Sequence, residues 1–178
     1  MDQIRDLLVD ELKDLLNAEN QLVQALPRIA QAAHNPKLRE AIEKHLQQTQ
    51  GHVERLKNAF ELLGEKAQSK PCKGMTGLLQ EGEERIQELR NQEDFAADLG
   101  LIAAAQKVEH YEISGYGTAR YLAHQIGEYE VAKLLSQTQG EEESADFLLS
   151  EISKPLLQRA LLADNTSAAP AKARAQRA

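Results

Sequence analysis

The chain has a single cysteine, no tryptophan, and few aromatic, proline or glycine residues. One cysteine, Cys72, excludes an intrachain disulfide and a zinc site built on several thiolates. Its setting, Lys70-Pro71-Cys72-Lys73-Gly74, reads as that of an ordinary loop thiol. An aromatic content of 4% leaves little from which to build a β-rich fold. No apolar run approaches the roughly 20 residues that span a bilayer. The opening stretch MDQIRDLLVDELKDLL is amphipathic and acidic rather than signal-like, so the expectation is a cytoplasmic protein with no membrane association. A net charge of −7 argues against nucleic acid as a partner of the folded body, because phosphate contacts need clustered Lys and Arg.

Ala, Leu, Glu, Gln and Lys are abundant instead, and these favour helix. A length of 178 residues suits one core. The first helical pattern runs from about Asp2 to Ala33, with Pro27 expected to bend its last turns. Asn35-Pro36 supplies an N-cap followed by proline at the first helical position, and the second helix extends to Gly64, a good C-terminal stop. Residues 64–94 lack a long seam; Met75 to Leu89 predicts one short acidic helix within a connection long enough to cross a bundle. A third long helix spans about Phe95 to Ile126, Gly127 breaks it, and a fourth continues to about Ser153, before Lys154-Pro155. Two tight antiparallel pairs joined by one long connection is the arrangement of ferritin-like bundles. The expected division is a helical bundle domain over residues 1–162 and a disordered basic tail over 163–178, where the composition shifts to Ala, Ser, Pro, Lys and Arg.

Each long helix carries an apolar seam with the alternating three- and four-residue spacing of a packed face, and each seam is interrupted at mid-height by metal-binding groups. The first reads Leu8, Leu12, Leu15, Glu19, Leu22, Leu26, Ile29. The second has His45, Thr49 and His52 between Ile42 and Leu56; the third has Glu109, Glu112 and Tyr116 between Ala105 and Ala119; the fourth has Thr138 and Glu142 between Leu135 and Ala145. Unpaired buried charge costs several kcal/mol or more per group, so a positive ion is expected among them. An internal repeat supports one level for the site. QTQG occurs at Gln48–Gly51 and again at Gln137–Gly140, and the same offset separates Glu19 from His52 and Glu109 from Glu142.

Glu109-x-x-Glu112 places two carboxylates on one helix face, one turn apart, and Glu142 with Asp146 does the same at four-residue spacing. Oxygen-rich donor sets with one or two imidazoles suit iron or manganese. The reading is a carboxylate-bridged di-metal centre with Glu19, His52, Glu109, Glu112, Glu142 and Asp146 as ligands. His45 stands as a supporting residue or substitute, and Glu141 competes with Glu142 because the QTQG alignment pairs it with His52. Gly115 and Gly117, inside the third helix, are expected to permit close helix approach beside the site.

The strings DELKDLLNAENQLVQALPRIAQAA, HLQQTQGHVERL, LIAAAQKVEHYEISGYGTARYLA and LLSQTQGEEESADFLL together resemble the YciE/YciF-like bacterial stress proteins of the ferritin-like superfamily. The resemblance implies a four-helix bundle with a short extra C-terminal helix, a homodimer, a di-iron-type site placed as in rubrerythrin-like proteins, and a role in stress responses. It departs from the usual Glu-x-x-His pattern: His52 is followed by Arg55 and Glu142 by Ala145, while Gln48 stands where relatives carry an acid. The leading functional expectation is an iron (or manganese) protein reacting with peroxide or oxygen, a peroxidase- or ferroxidase-like activity. The alternative is a non-catalytic helical stress protein working through dimerisation or partner binding.

Overall fold

A computed structural model describes the backbone of residues 2–167 and the side chains of residues 3–162. Five helices follow one another: α1 Asp2–Ala32, α2 Pro36–Leu62, α3 Lys73–Leu89, α4 Asp94–Gln125 and α5 Tyr129–Ser167. The four long ones, α1, α2, α4 and α5, form the bundle; α1 packs on α2, α4 on α5, and the pairs meet through α1–α4 and α2–α5. α3 lies in the crossover and packs on α4 and α1. This is the all-α, ferritin-like arrangement of two antiparallel pairs with one crossover.

Local chemistry sets the ends. The Asn35 side chain accepts from the backbone N–H groups of Lys37 and Leu38 at 2.9 and 3.2 Å, so α2 starts on a capped N-terminus with Pro36 behind it. α2 and α4 end alike, on glycines in the left-handed region, Gly64 (φ 67°) and Gly127 (φ 86°). Glu65 N–H donates to the Phe60 carbonyl and Gly64 N–H to Glu61; Glu128 and Gly127 repeat this with Ala123 and His124. Both are Schellman closures, which satisfy the last carbonyls and turn the chain back on itself.

Neither proline inside a helix ends it. α1 passes through Pro27, and α5 passes through Pro155, so the expected short C-terminal helix is a continuation of α5 rather than a separate element. Ile152 and Leu156 are buried on either side of Pro155, and this anchoring offsets the one lost backbone bond. α5 continues to Ser167, into the segment expected to lack structure; residues 168–178 lie outside the described residues.

The apolar interior is in two parts. One, around Leu8, Leu12, Leu56, Phe60, Ala123 and Leu135, fills the end of the bundle near the α2 and α4 C-termini. The other, around Leu22, Leu26, Ile42, Met75, Ile102 and Leu156, fills the opposite end. Glu19, His45, Thr49, His52, Glu109, Glu112 and Glu142 are all buried, on the seam stretches that run between the two parts. Gly115 permits the close approach of α4 to α1 at this level: a Cβ there would lie 2.8 Å from Leu15 Cδ2. Gly117 does not, because its added Cβ would make only ordinary contact with Gln139.

The crossover is pinned to α1. Cys72 N–H donates to Asn17 Oδ1 at 2.8 Å, Gln21 Nε2 to the Cys72 carbonyl at 3.2 Å and Lys70 N–H to the Lys13 carbonyl at 3.1 Å. Cys72 is therefore a buried N-cap of α3, its sulfur accepting from Met75 N–H and lying 3.0 Å from Tyr111 Oη. Tyr111 in turn donates to Asp14 at 2.6 Å. Gly74 lies under that fixed ring, where an added Cβ would come 2.5 Å from Tyr111 Cε2. Gly74→Ala is expected to lose roughly 1–3 kcal/mol through overpacking. Gly77→Ala, three residues on with open space at its Cβ, should be neutral or stabilising, and paired thermal melts check the contrast.

A buried acid sews the start of α4 to the α1–α2 turn. Asp98 accepts from the backbone N–H groups of His34 and Asn35, each at 2.8 Å. Asp98→Ala strands both donors and is expected to lower stability by about 1–3 kcal/mol, read from the urea midpoint.

Candidate metal centre

Seam positions face the bundle axis because three- and four-residue steps stay on one side of a helix with 3.6 residues per turn. That geometry brings Glu19 from α1, His45 and His52 from α2, Glu109 and Glu112 from α4 and Glu142 from α5 to one buried place. Their donor atoms fall into two groups, each with all atoms within 4.8 Å of one another: Glu19, His52 and Glu142; and His45, Glu109, Glu112 and Glu142. Glu142 belongs to both.

Within each group the donor atoms are in close contact. His52 Nδ1 lies 2.8 Å from Glu142 Oε1 and 3.3 Å from Glu19 Oε1; His45 Nε2 lies 3.5 Å from Glu109 Oε1 and 3.8 Å from Glu142 Oε2. Two donors each about 2.1 Å from an octahedral ion at right angles stand about 3 Å apart. Among the described residues, His52 Nδ1, both His45 ring nitrogens, both oxygens of Glu112 and of Glu142, and one oxygen each of Glu19 and Glu109 are buried without a well-formed hydrogen bond. Native interiors rarely leave so many polar atoms unsatisfied in one place.

The electrostatics record the same strain. Burial pushes the Glu19, Glu109 and Glu112 carboxyls up, and the neighbouring carboxylates push Glu109 and Glu112 well up. Burial lowers His45. Burial would lower His52 too, but the Glu142 and Glu19 carboxylates outweigh it and lift the imidazole to about 10.

Supporting groups orient these ligands. His52 Nε2 faces Glu141 Oε2 at 2.8 Å, which leaves Nδ1 directed at Glu19 and Glu142. A carboxylate on the far nitrogen is the usual means of fixing a metal-binding imidazole. Arg55 holds that carboxylate with two donors, Nη1 at 3.1 Å and Nη2 at 3.2 Å, and also donates to Thr138 Oγ1 at 2.5 Å. Burial would raise the Glu141 carboxyl, yet Arg55, Gln137 and His52 hold it low. The arginine standing where a Glu-x-x-His pattern would put histidine thus steadies His52 through Glu141. Tyr116, wholly buried, donates to Glu19 Oε1.

Of the six expected ligands the structure gathers Glu19, His52, Glu109, Glu112 and Glu142, and not Asp146. Asp146 accepts instead from Gln106 Nε2 at 2.9 Å and lies 3.5 Å from the exposed His110. Gln106 on α4 holds it there, donating through the same amide to Asp146 Oδ1 and to Ser150 Oγ at 2.9 Å. His45 takes up the place on the Glu109 side, a role its seam position already signalled. Glu142, not Glu141, reaches the cluster.

Residues 3–162 match a family described as a domain of unknown function, DUF892. The chain belongs to the DUF892 family. This DUF892 protein is 41% identical over 153 residues to Protein YciF of Escherichia coli strain K12, covering 85% of this chain and 91% of that one. The crystal structure of the E. coli stress protein YciF superposes with a TM-score of 0.84 at 39% identity, over 89% of this chain and 99% of that chain. YcfI from Rhodopseudomonas palustris superposes with a TM-score of 0.78 at 34% identity, over 83% and 92%. No helix among the described residues is long and apolar enough to cross a membrane.

Proposed function

We propose that this YciF-like DUF892 protein binds two transition-metal ions in its core, iron first and manganese second, and reacts with peroxide or dioxygen in a stress response. The observation that carries the reading is the set of buried, unpartnered donor atoms on four helices, shared between two groups through Glu142. Four carboxylates and two imidazoles without a thiolate suit iron or manganese better than copper(I) or structural zinc. Held by Glu19, His45, His52, Glu109, Glu112 and Glu142, such ions would supply redox and Lewis-acid chemistry. The chain's own contribution is to hold Glu142 between the two groups, to direct His52 Nδ1 at Glu19 and Glu142 by engaging Nε2, and to keep a proton on Tyr116 Oη beside Glu19. Burial and the Glu19 charge raise Tyr116 well above the ordinary phenol range, which favours that proton's staying in place.

Elemental analysis of the purified protein tests the reading, together with melting of the metal-free form in iron(II), manganese(II) and zinc(II). The expected result is about two iron or manganese ions per chain and a raised melting temperature. No specific metal and no shift overturns it.

A second reading has its own observation. α5 exposes Phe147, 66% accessible, along with Leu157 and Leu161. An apolar face of that kind supports self-association, with the protein acting as a homodimeric helical partner rather than a catalyst. Sedimentation of Phe147→Glu against wild type checks it, and an unchanged mass removes the support.

A further inference from the structure

The metal cluster is reached from two sides, and the sides differ in chemistry. One opening lies between α2 and α5, about 80 Å³ in volume, and reaches His45 and Glu109 past Lys44, Gln48, Glu141 and Ser144. The other is a cleft of about 50 Å³ beneath α3, between α1 and α4. Its walls are hydrocarbon, with Leu22, Leu26, Leu79, Ile86, Leu101 and Ala105 among them, and its inner end is again His45 and Glu109. Those two side chains are 7% and 4% exposed, and both His45 nitrogens and Glu109 Oε2 lack hydrogen-bond partners.

We infer that the cleft beneath α3 receives a small apolar molecule of dioxygen's size and delivers it to the His45–Glu109 side of the cluster; the destination, though not the cleft, rests on the metal reading above. Size argues for this. The cleft is a few times the roughly 10–15 Å³ that one water-sized sphere needs, enough for a diatomic molecule, and falls well short of the roughly 150 Å³ engineered cavity that takes benzene. Chemistry argues for it as well. Between Leu22, Leu79 and Leu101 a water would find no set of two to four polar partners, so an apolar guest in that part of the cleft displaces nothing well bound; farther in, polar partners begin only at the His45–Glu109 end.

The fold keeps the space open and lightly closed. Gly82 on α3 and Ala104 on α4 both line it, and a Cβ built on Gly82 would meet only Ala104 Cβ, at 3.8 Å. At the outer end Arg28 and Glu83 form an ion pair at 3.0 Å, with Arg28 68% exposed. Exposed pairs of this kind contribute only about 0–1 kcal/mol, so the pair shields the mouth without sealing it. The α2–α5 opening sets Lys44, Gln48, Glu141 and Ser144 beside Ile42, Leu148 and Leu149, so it offers polar groups along its length that the cleft beneath α3 does not; the two approaches are separate until they meet at His45.

Xenon is the probe, because it is apolar, of suitable size and independent of any metal. Xenon pressurisation of metal-free crystals is expected to place an atom between Leu22, Leu79 and Leu101, and Gly82→Leu, which projects a side chain into the cleft, is expected to lose it. In the iron(II)-loaded protein the same variant should slow oxidation by dioxygen several-fold, with iron stoichiometry and the peroxide-driven rate unchanged. Absence of xenon from the wild-type cleft overturns the inference whether or not metal binds. Equal dioxygen rates in wild type and a xenon-free Gly82→Leu overturn the delivery. Xenon in the cleft of a protein that takes up no metal overturns the proposed function instead and leaves the apolar site standing.

Discussion

Replacing Glu112 with leucine is expected to raise the stability of the metal-free protein and to abolish its further rise on adding iron(II) or manganese(II). Glu112 is fully buried and neither carboxylate oxygen has a hydrogen-bond partner. Burial and the Glu19, Glu142 and Glu109 charges push its carboxyl well above the usual range. In the absence of metal the group is a net cost: an unsatisfied buried polar group is worth about 1–3 kcal/mol, and apolar replacement of buried charge sets often gains about 1–4 kcal/mol. Leucine removes that cost at similar volume. Metal reverses the balance, since a ligand at 1,000 times its Kd adds about 4 kcal/mol to the native state. For a chain of this size each kcal/mol moves the melting temperature by about 2–4 °C, so the two effects are separable in one set of scans. A variant that is less stable without metal, and that still responds to metal, would show that Glu112 is part of a satisfied polar core.

The metal-free protein should also lose stability steadily as pH rises from 6.5 toward 10, while the stabilisation by metal grows over the same range. The folded pKa of His52 is raised from 6.5 to about 10, so its contribution is fully present below 6.5 and disappears as pH approaches 10. Glu19, Glu109 and Glu112 have folded values raised above 4.5, and their contributions likewise fade as pH climbs through those values. His45 runs the other way, because its folded value is lowered; its contribution is gained as pH rises toward 6.5 and is complete there. Above 6.5 the His52 effect therefore sets the slope, and the change is of the order of a few kcal/mol. Metal requires the deprotonated ligands and releases their protons on binding, so its increment rises where the free protein weakens. Denaturant midpoints with and without manganese(II) at a series of pH values check both slopes. Parallel curves would sink the coupling.

Much of this site is legible before any coordinates. A glutamate at a leucine position, as at Glu19, is visible because the 3.6-residue period assigns it to the buried face, and the same rule marks Glu109, Glu112 and Glu142. The period is blunt at the edge of a face, and Asp146 shows where it fails. Asp146 stands one four-residue step from Glu142, within what the period allows, yet a partner on another helix, Gln106, takes its carboxylate. His45 and His52 are equal on the seam of α2; that His45 sits with Glu109 and Glu112 while His52 sits with Glu19 depends on which helix lies opposite each. The pairing of Arg55 with Glu141 joins residues on different helices, and no local pattern announces it.

By itself the sequence determined the elements that depend on short-range physics: helical composition, the Asn35-Pro36 start of α2, the glycine stops at Gly64 and Gly127, and a polar interruption at the same height on four seams. These follow from dihedral preference, capping and periodicity, all of which act within a few residues. Tertiary structure alone decided that Glu142 is shared between two groups of donors and that Asp146 turns to Gln106 instead of joining them. It also decided that Pro155 lies within a continuous α5 and that an apolar cleft beneath α3 ends on the cluster. Those outcomes are set by how helices distant in sequence rotate and pack against one another, where the fit of facing side chains outweighs any local preference.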